Sequence, residues 1–182
     1  NKIKVLRCAF NMGAGNAVRK GLLESLKSEK TQVVGFLDAD LSTSLEEAIR
    51  IASFIDSQVH FAFGSRLRRN GASIERRAHR HILGRIFATF ASIYLKLPIY
   101  DTQCGAKFFD RMTIESVFEN RMNSRWIFDL EIFERYLKIY PIDSILEVPL
   151  RSWRDDGNSK LRFLDCFQII NDIWYLVTKR NS

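Results

Sequence analysis

Hydrophobic and polar residues follow one another along the chain in blocks that predict the order strand, helix, strand, helix, strand. The run 33–37, Val-Val-Gly-Phe-Leu, is apolar without interruption and ends at Asp38, which is typical of a strand buried on both faces. Ser44 and Glu47 have the spacing of a capping box, which predicts a helix that runs to about Ile55. This order predicts a parallel sheet with helices on its faces.

The same periodicities predict the remaining elements. Further strands are predicted over 3–9, 59–64, 105–110 and 145–153, and further helices over 16–28, 81–97, 128–140 and 161–177. No repeat, low-complexity tract or linker interrupts them, so we expect a single domain over 1–182. The C-terminal segment 161–178 is nearly apolar all round, which is compatible with packing on the core or with lying on a membrane surface.

Composition narrows the class of protein. Hydrophobic residues make up 46% and charged residues 27% of the 182 residues, which is ordinary for a globular domain and excludes a disordered chain. The three cysteines lie far apart with no CxxC pair, which favours a reducing compartment and disfavours a metal site built on cysteine. We expect no membrane span, because no stretch of 18 uncharged apolar residues occurs. We also expect no secretory signal, because residues 1–4 lead straight into a predicted strand.

Most of the net charge of +7 comes from one stretch, which we call the arginine segment, residues 66–85. It holds seven arginines and one acid, Glu75, so it carries 7 − 1 = +6. The arginines are Arg66, Arg68, Arg69, Arg76, Arg77, Arg80 and Arg85. The planar guanidinium suits bidentate contacts with phosphate, so the segment predicts a site for a phosphate or an anionic lipid. The alternative is a solvated charged loop.

The pair Asp38 and Asp40 is the main candidate for catalytic chemistry. Two carboxylates one residue apart, in a turn at the carboxyl end of a strand, can bind one Mg²⁺ or Mn²⁺ and leave positions open for substrate phosphates. Such an ion would neutralise charge on a departing diphosphate. The alternative is that both acids only cap the turn or the following helix.

Six segments, in order, resemble the family 2 glycosyltransferases, in particular the branch that transfers glucose or mannose to dolichyl or polyprenyl phosphate. The segments are Asn-Met-Gly-Ala-Gly-Asn-Ala-Val-Arg at 11–19, Phe-Leu-Asp-Ala-Asp-Leu-Ser-Thr at 36–43, Gly-Ser-Arg at 64–66, Asp-Thr-Gln-Cys-Gly-Ala-Lys-Phe-Phe at 101–109, Trp-Ile-Phe-Asp-Leu-Glu at 126–131, and Val-Pro-Leu-Arg-Ser-Trp at 148–153 with Ser-Lys-Leu at 159–161.

The resemblance implies a GT-A type α/β fold with a mainly parallel sheet, and an inverting hexosyl transfer that depends on Mg²⁺ or Mn²⁺ at Asp38 and Asp40. The implied donor is UDP-glucose or GDP-mannose, and the implied acceptor is a polyprenyl or dolichyl phosphate at a membrane surface. Asp129 is the third implied catalytic residue. The implied substrate-binding residues are Arg66, Arg76, Arg77, Arg80, Gln103, Ser159 and Lys160.

Two departures from the family pattern affect the choice of branch. Ser42 stands where the mannosyl branch commonly has a metal-binding Gln, which is closer to the glucosyl type, and Ala14 replaces a Lys. The family's first strands, which hold the nucleotide base, have no counterpart before the segment at 11–19. We therefore expect weak binding of uridine or guanosine diphosphate by these 182 residues, and the base stays open.

The remaining expectations concern location and rival functions. The resemblance implies a peripheral protein on the cytoplasmic face of a membrane, with a homo-oligomer allowed. One alternative is a transferase that uses a sugar hydroxyl as acceptor in polysaccharide synthesis. Another is a non-catalytic remnant or a basic nucleic-acid-binding module, although no nucleic-acid motif accompanies the basic segment, so a nucleic-acid partner is not expected.

Overall fold

The computed structural model describes residues 4–75, 78–124, 127–154 and 178, and the side chains of these residues except 78–83. The helices are α1 (Ala14–Ser25), α2 (Leu45–Ala52), α3 (Ala78–Leu95), α4 (Arg111–Val117) and α5 (Phe128–Leu137). The strands are β1 (Val33–Phe36), β2 (Phe61–Ser65), β3 (Ser73–Glu75), β4 (Lys107–Asp110), β5 (Ile145–Pro149) and β6 (Ser152–Arg154), with a short 3-10 helix over Ile142–Ser144 before β5.

The main sheet has four strands in the order β1-β4-β2-β5, and β3 pairs with β6 in a separate two-stranded sheet. Strands β2 and β5 are parallel, whereas β4 is antiparallel to both of its neighbours, β1 and β2. The α/β class is as predicted, but the pairing is mixed rather than mainly parallel. The reason is that the chain after α3 reaches the sheet where β1 ends, with Lys107 opposite Phe36, so β4 runs back in the opposite direction.

Burial of the strands differs from the prediction made for β1. This strand is only partly buried, and Val33 is 38% exposed, because β1 lies at one edge of the described sheet. Instead, β2 is the strand with every residue buried, as expected from its place between β4 and β5. The continuous apolar run at 33–37 was therefore a correct signal for a strand and a wrong signal for burial on both faces.

Several element boundaries also differ. Residues 4–10 form no strand, and the strand predicted over 145–153 is broken at residues 150–151, because β6 leaves the main sheet to pair with β3. The structure adds α4, whose first turn is capped where the Asp110 carboxylate accepts the Thr113 N–H at 2.7 Å. The predicted helix over 161–177 lies outside the described residues.

The core lies on both faces of the main sheet, because alternate residues of β2 point to opposite sides. On one side the fully buried Phe61 ring packs against Phe109, Phe133 and Tyr136, with ring centroids 4.5, 4.9 and 5.4 Å away. On the other side Ala62 lies in a smaller cluster of buried residues with Ile51, Cys104, Ala106, Val148 and Leu150.

In the portion of the chain that the structure describes, no helix has the length and apolar character needed to cross a membrane.

Candidate active site

Charged residues from four parts of the chain meet at the edge of the sheet where β1 and β2 end. Asp38 follows β1, Arg66 follows β2, Lys107 is the first residue of β4, and Asp129 lies in the first turn of α5. The carboxyl ends of strands are where α/β sheets bind ligands. This edge, with the turn at 38–42, is therefore the candidate active site.

The turn that carries the two predicted metal ligands is held by local hydrogen bonds. The Leu41 N–H donates to the Asp38 carbonyl at 3.1 Å, and Leu41 has a φ of 53°, which few residues with a branched side chain adopt. The Asp40 carboxylate accepts the Ser42 N–H at 2.9 Å through Oδ1. Asp40 therefore does cap the turn, as the alternative interpretation held, but with only one of its two oxygens.

The Asp38 side chain has a different environment. The turn itself is exposed, yet the carboxyl group lies against the backbone of Gly105: a Cβ built there would be 1.9 Å from Asp38 Oδ2. Burial of the carboxyl group, together with the negative charges of Asp129 and Asp40, raises the pKa of Asp38. A cation at this place would relieve the repulsion between these carboxylates.

These residues fit a divalent cation of the Mg²⁺ or Mn²⁺ type. No group of three or more His, Cys, Asp or Glu side chains that could hold a metal ion occurs among residues 4–75, 84–124 and 127–154. Mg²⁺ needs no such group, because it retains several waters and binds through one or two carboxylates plus substrate phosphates. Asp38 and Asp40 would supply those two carboxylates, and their role as metal ligands remains a prediction.

Asp129 is paired with a buried lysine. Lys107 is completely buried, and its Nζ donates to Asp129 Oδ1 at 2.5 Å and to the Cys104 carbonyl at 2.6 Å. The ammonium also lies 5.6 Å from the centre of the Phe36 ring. Asp129 thus stands beside Asp38 with its charge balanced by Lys107.

Glu131, the other acid in the first turn of α5, points elsewhere. Its carboxylate accepts the Asn123 and Ser124 N–H groups and pairs with Arg135 at 2.7 Å. Two residues that are two positions apart at the start of a helix point in different directions. Asp129 faces the candidate site, and Glu131 stabilises the loop that precedes the helix.

Arg66 is engaged within the protein. Its Nε and Nη2 donate to the two oxygens of Asp101 at 2.6 and 2.8 Å, a bidentate pair, and its guanidinium lies 5.4 Å from the Trp153 ring. Burial opposes the charge on Arg66, but the adjacent Asp101 carboxylate outweighs that effect and raises the pKa of the guanidinium. Asp101 Oδ1 also accepts the N–H of Gln103 at 3.2 Å, which brings the predicted substrate residue Gln103 to the same place.

A half-buried carboxylate on β5 holds the loop that leads to Asp101. Glu147 on β5 accepts the N–H groups of Tyr100 and Asp101 at 2.9 and 2.8 Å, and burial raises the pKa of its carboxyl group. These bonds fix the start of the segment from Asp101 to Lys107. That segment contacts Arg66, Asp38 and Asp129, so it connects the ends of three different elements.

The rest of the arginine segment is more structured than a loop, since it contains β3 and the start of α3. Arg85 Nη1 donates to the Tyr100 carbonyl at 3.1 Å, and its guanidinium lies 3.9 Å from the centre of the Tyr100 ring. Arg85 thereby ties α3 to the loop that leads to Asp101. The predicted substrate residues Arg76, Arg77, Ser159 and Lys160, and the side chain of Arg80, lie outside the described part.

Sequence reasoning missed the roles of four residues: Asp101, Gly105, Lys107 and Glu147. One signal was available for Lys107, because a lysine between alanine and two phenylalanines in a predicted strand must find a buried partner. No local pattern could have identified the partners of the other three, which lie on distant parts of the chain.

With this site in place, the chain can be assigned to a class. Residues 1–118 match the model of the family described as glycosyl transferase family 2. The chain belongs to this family, and membership gives it the GT-A type of α/β fold. The resemblance inferred from the six segments is thereby confirmed.

Similarity to particular proteins is consistent with one branch of the family. The chain is 31% identical over 182 residues to a dolichyl-phosphate beta-glucosyltransferase of Drosophila melanogaster, covering 96% of this chain and 54% of the relative. It is 30% identical to one from Trichomonas vaginalis and 28% identical to one from Saccharomyces cerevisiae, with 94% of this chain covered in both. The glucosyl branch, which Ser42 indicated in the sequence, is supported.

The chain spans about half the length of these curated relatives, 51% to 54% of each. No solved structure matches it significantly.

Proposed function

We propose that this chain is catalytic machinery that moves glucose from a nucleotide sugar to a polyprenyl phosphate of the dolichyl type. The observation that carries this proposal is the meeting of Asp38, Asp40, Asp129 and Lys107 at the carboxyl end of β1, in a chain similar over almost its whole length to dolichyl-phosphate beta-glucosyltransferases. UDP-glucose is the proposed donor, and GDP-mannose is the alternative for the mannosyl branch.

The proposed reaction is an inverting displacement. An oxygen of the acceptor phosphate forms a bond to the anomeric carbon of the sugar, while the bond from that carbon to the diphosphate breaks and both its electrons leave with the nucleoside diphosphate. When bound, Mg²⁺ or Mn²⁺ would neutralise the charge that builds on the diphosphate. Asp38 and Asp40 are the residues proposed to hold that ion.

The pairing of Asp129 supports a phosphate acceptor over a sugar hydroxyl. A hydroxyl acceptor needs a general base within reach, whereas a phosphate is already anionic near neutral pH. The Asp129 carboxylate is bound at 2.5 Å to the buried ammonium of Lys107, so one of its oxygens is engaged within the protein. In this proposal Asp129 shapes the site electrostatically and does not remove a proton from the acceptor.

The arginine segment is the proposed meeting place with the acceptor phosphate and the membrane. Its charge of +6 is concentrated in twenty residues, and each basic residue near an anionic leaflet contributes on the order of 1 kcal/mol. Arg76, Arg77 and Arg80 are proposed to bind phosphate. Arg66, which is held in its pair with Asp101, would also contribute to phosphate binding. The proposed location of the protein is the cytoplasmic face of a membrane.

The test is a transfer assay with UDP-glucose or GDP-mannose, a short soluble polyprenyl phosphate, and Mn²⁺. Because these 182 residues are expected to bind the nucleotide weakly, we expect slow formation of glucosyl lipid from UDP-glucose at high donor concentration. Product should be lost in Asp38→Asn and Asp40→Asn and unchanged in the control Glu29→Gln, an exposed acid away from the site. Transfer to a sugar hydroxyl but not to the phosphate would establish the alternative function. Activity that does not depend on Mn²⁺ in the parent would contradict the proposed metal site.

A further inference from the structure

Gly105 lies in the loop before β4, at the point where this loop approaches the turn at 38–42. A Cβ built on Gly105 would be 1.9 Å from Oδ2, 2.1 Å from Cγ and 2.4 Å from Oδ1 of Asp38. Among the described glycines only Gly13 and Gly71 have positive φ, so the backbone of Gly105 does not itself require glycine. Glycine is required at this position because the Asp38 carboxylate occupies the space that a Cβ would need.

We propose that Gly105 is a positioning residue for Asp38: its missing side chain lets the carboxylate lie against the loop and holds it in the place from which it binds a divalent cation. This inference rests on the proposed function, because that function assigns the cation to Asp38 and Asp40. In this proposal Gly105 contributes no ligand atom of its own, but the metal-binding pair Asp38 and Asp40 depends on it.

The loop around Gly105 is too well anchored to move away from an added side chain. Its neighbours Cys104 and Ala106 are both completely buried. The Ala106 carbonyl accepts the Gly64 N–H of β2 at 2.9 Å, and the Cys104 carbonyl accepts the buried ammonium of Lys107 at 2.6 Å. A methyl group at position 105 would therefore displace the Asp38 carboxylate and leave the loop in place.

The size of the displacement follows from the same distances. Real Cβ contacts essentially never fall below 3.0 Å, so the carboxylate must move from 1.9 Å to at least that distance. The atoms that move are the end of a short side chain in an exposed turn, which can rotate at little cost to folding. Gly105→Ala should therefore change cation binding far more than it changes stability.

Gly21 offers a matched control. It lies in α1, and a Cβ added there meets nothing within 4 Å. Gly21→Ala makes the same chemical change in open space, so any effect common to both variants would come from the glycine-to-alanine change itself. Asp38→Asn supplies the reference for loss of the ligand, and the double variant Gly105→Ala with Asp38→Asn tests whether Gly105 acts through Asp38.

The experiment titrates each variant with Mn²⁺, followed by electron paramagnetic resonance, with and without uridine diphosphate, and records the thermal unfolding of each. We expect Gly105→Ala to weaken Mn²⁺ binding by about tenfold or more, the range for residues that orient metal ligands, with its midpoint of unfolding nearly unchanged. Gly21→Ala should bind like the parent, and the double variant should bind no more weakly than Asp38→Asn.

The outcomes separate this inference from the function it rests on. If Asp38→Asn loses Mn²⁺ while Gly105→Ala binds like the parent, the positioning role of Gly105 is overturned and the proposed metal site stands. If Asp38→Asn binds Mn²⁺ like the parent, or the parent binds none, the metal assignment itself is wrong and this inference falls with it. If the double variant binds Mn²⁺ more weakly than Asp38→Asn does, Gly105 acts through a group other than Asp38, and the proposal is also overturned.

Discussion

Replacing Asp129 with asparagine should destabilise the protein more than replacing its partner Lys107 with methionine. The reason is the difference in burial of the charge left behind. Asp129→Asn leaves the Lys107 ammonium, whose side chain is 0% exposed, without its hydrogen-bonded counter-charge. Lys107→Met leaves the Asp129 carboxylate, which is 16% exposed and retains some contact with water.

The magnitudes follow from this asymmetry. Removing one partner of a buried ion pair typically costs about 3–5 kcal/mol, because the other charge stays buried and uncompensated. Asparagine still offers an oxygen to the ammonium, so we expect about 3 kcal/mol for Asp129→Asn. For Lys107→Met, where the apolar stem is replaced and the carboxylate is partly solvated, we expect about 1–2 kcal/mol. Either cost would be a measurable fraction of the free energy of unfolding of a domain, which is roughly 5–15 kcal/mol.

The assay is urea unfolding at neutral pH, followed by circular dichroism. Glu115→Gln is the matched control, since it breaks the pair between Arg111 and Glu115, whose side chains are 27% and 53% exposed, and should cost less than about 1 kcal/mol. The double variant Asp129→Asn with Lys107→Met should be more stable than Asp129→Asn alone, because it removes the stranded charge. A cost for Asp129→Asn below that of Lys107→Met would refute the reasoning.

Two further predictions concern a buried thiol and a buried phenol. Burial raises the pKa of the Cys104 thiol to about 11, so in a variant that lacks the other two cysteines, iodoacetamide at pH 8 should label Cys104 only after urea is added. In a matching variant that keeps Cys8 alone, this exposed thiol should react in the native state. Rapid labelling of Cys104 in the native state would contradict its burial. Burial likewise raises the pKa of Tyr136 to about 12, so between pH 10 and 12 the unfolded state binds fewer protons than the folded state and stability falls as pH rises, by up to about 2–3 kcal/mol. Tyr136→Phe should flatten this alkaline decline in a series of urea titrations, and an unchanged slope would assign the decline to other groups.

Local patterns in the sequence determined much of the secondary structure. The apolar run before Asp38 predicted β1, and the capping pair Ser44 and Glu47 predicted α2, whose first turn is indeed capped by Ser44 Oγ. Helical spacing predicted α3 and α5 to within a few residues at most boundaries. These features are set by residues two to four positions apart, which is why a single sequence reveals them. The ordered motifs likewise predicted the family.

The direction of β4 and the burial of β1 were decided by tertiary structure. Nothing in the four residues of β4 distinguishes a parallel from an antiparallel strand. Its direction follows from where the chain arrives after α3, with Lys107 opposite Phe36 at the end of β1. The burial of a strand depends in the same way on which strands flank it, so the equally apolar β1 and β2 differ in exposure.

The candidate site combines both kinds of information. Asp38 and Asp40 are visible in the sequence because they follow a strand at a fixed distance. The pairing of Arg66 with Asp101 joins residues 35 apart, and that of Lys107 with Asp129 joins residues 22 apart. Such contacts have no period along the chain, because they exist only after the sheet brings the ends of its strands together.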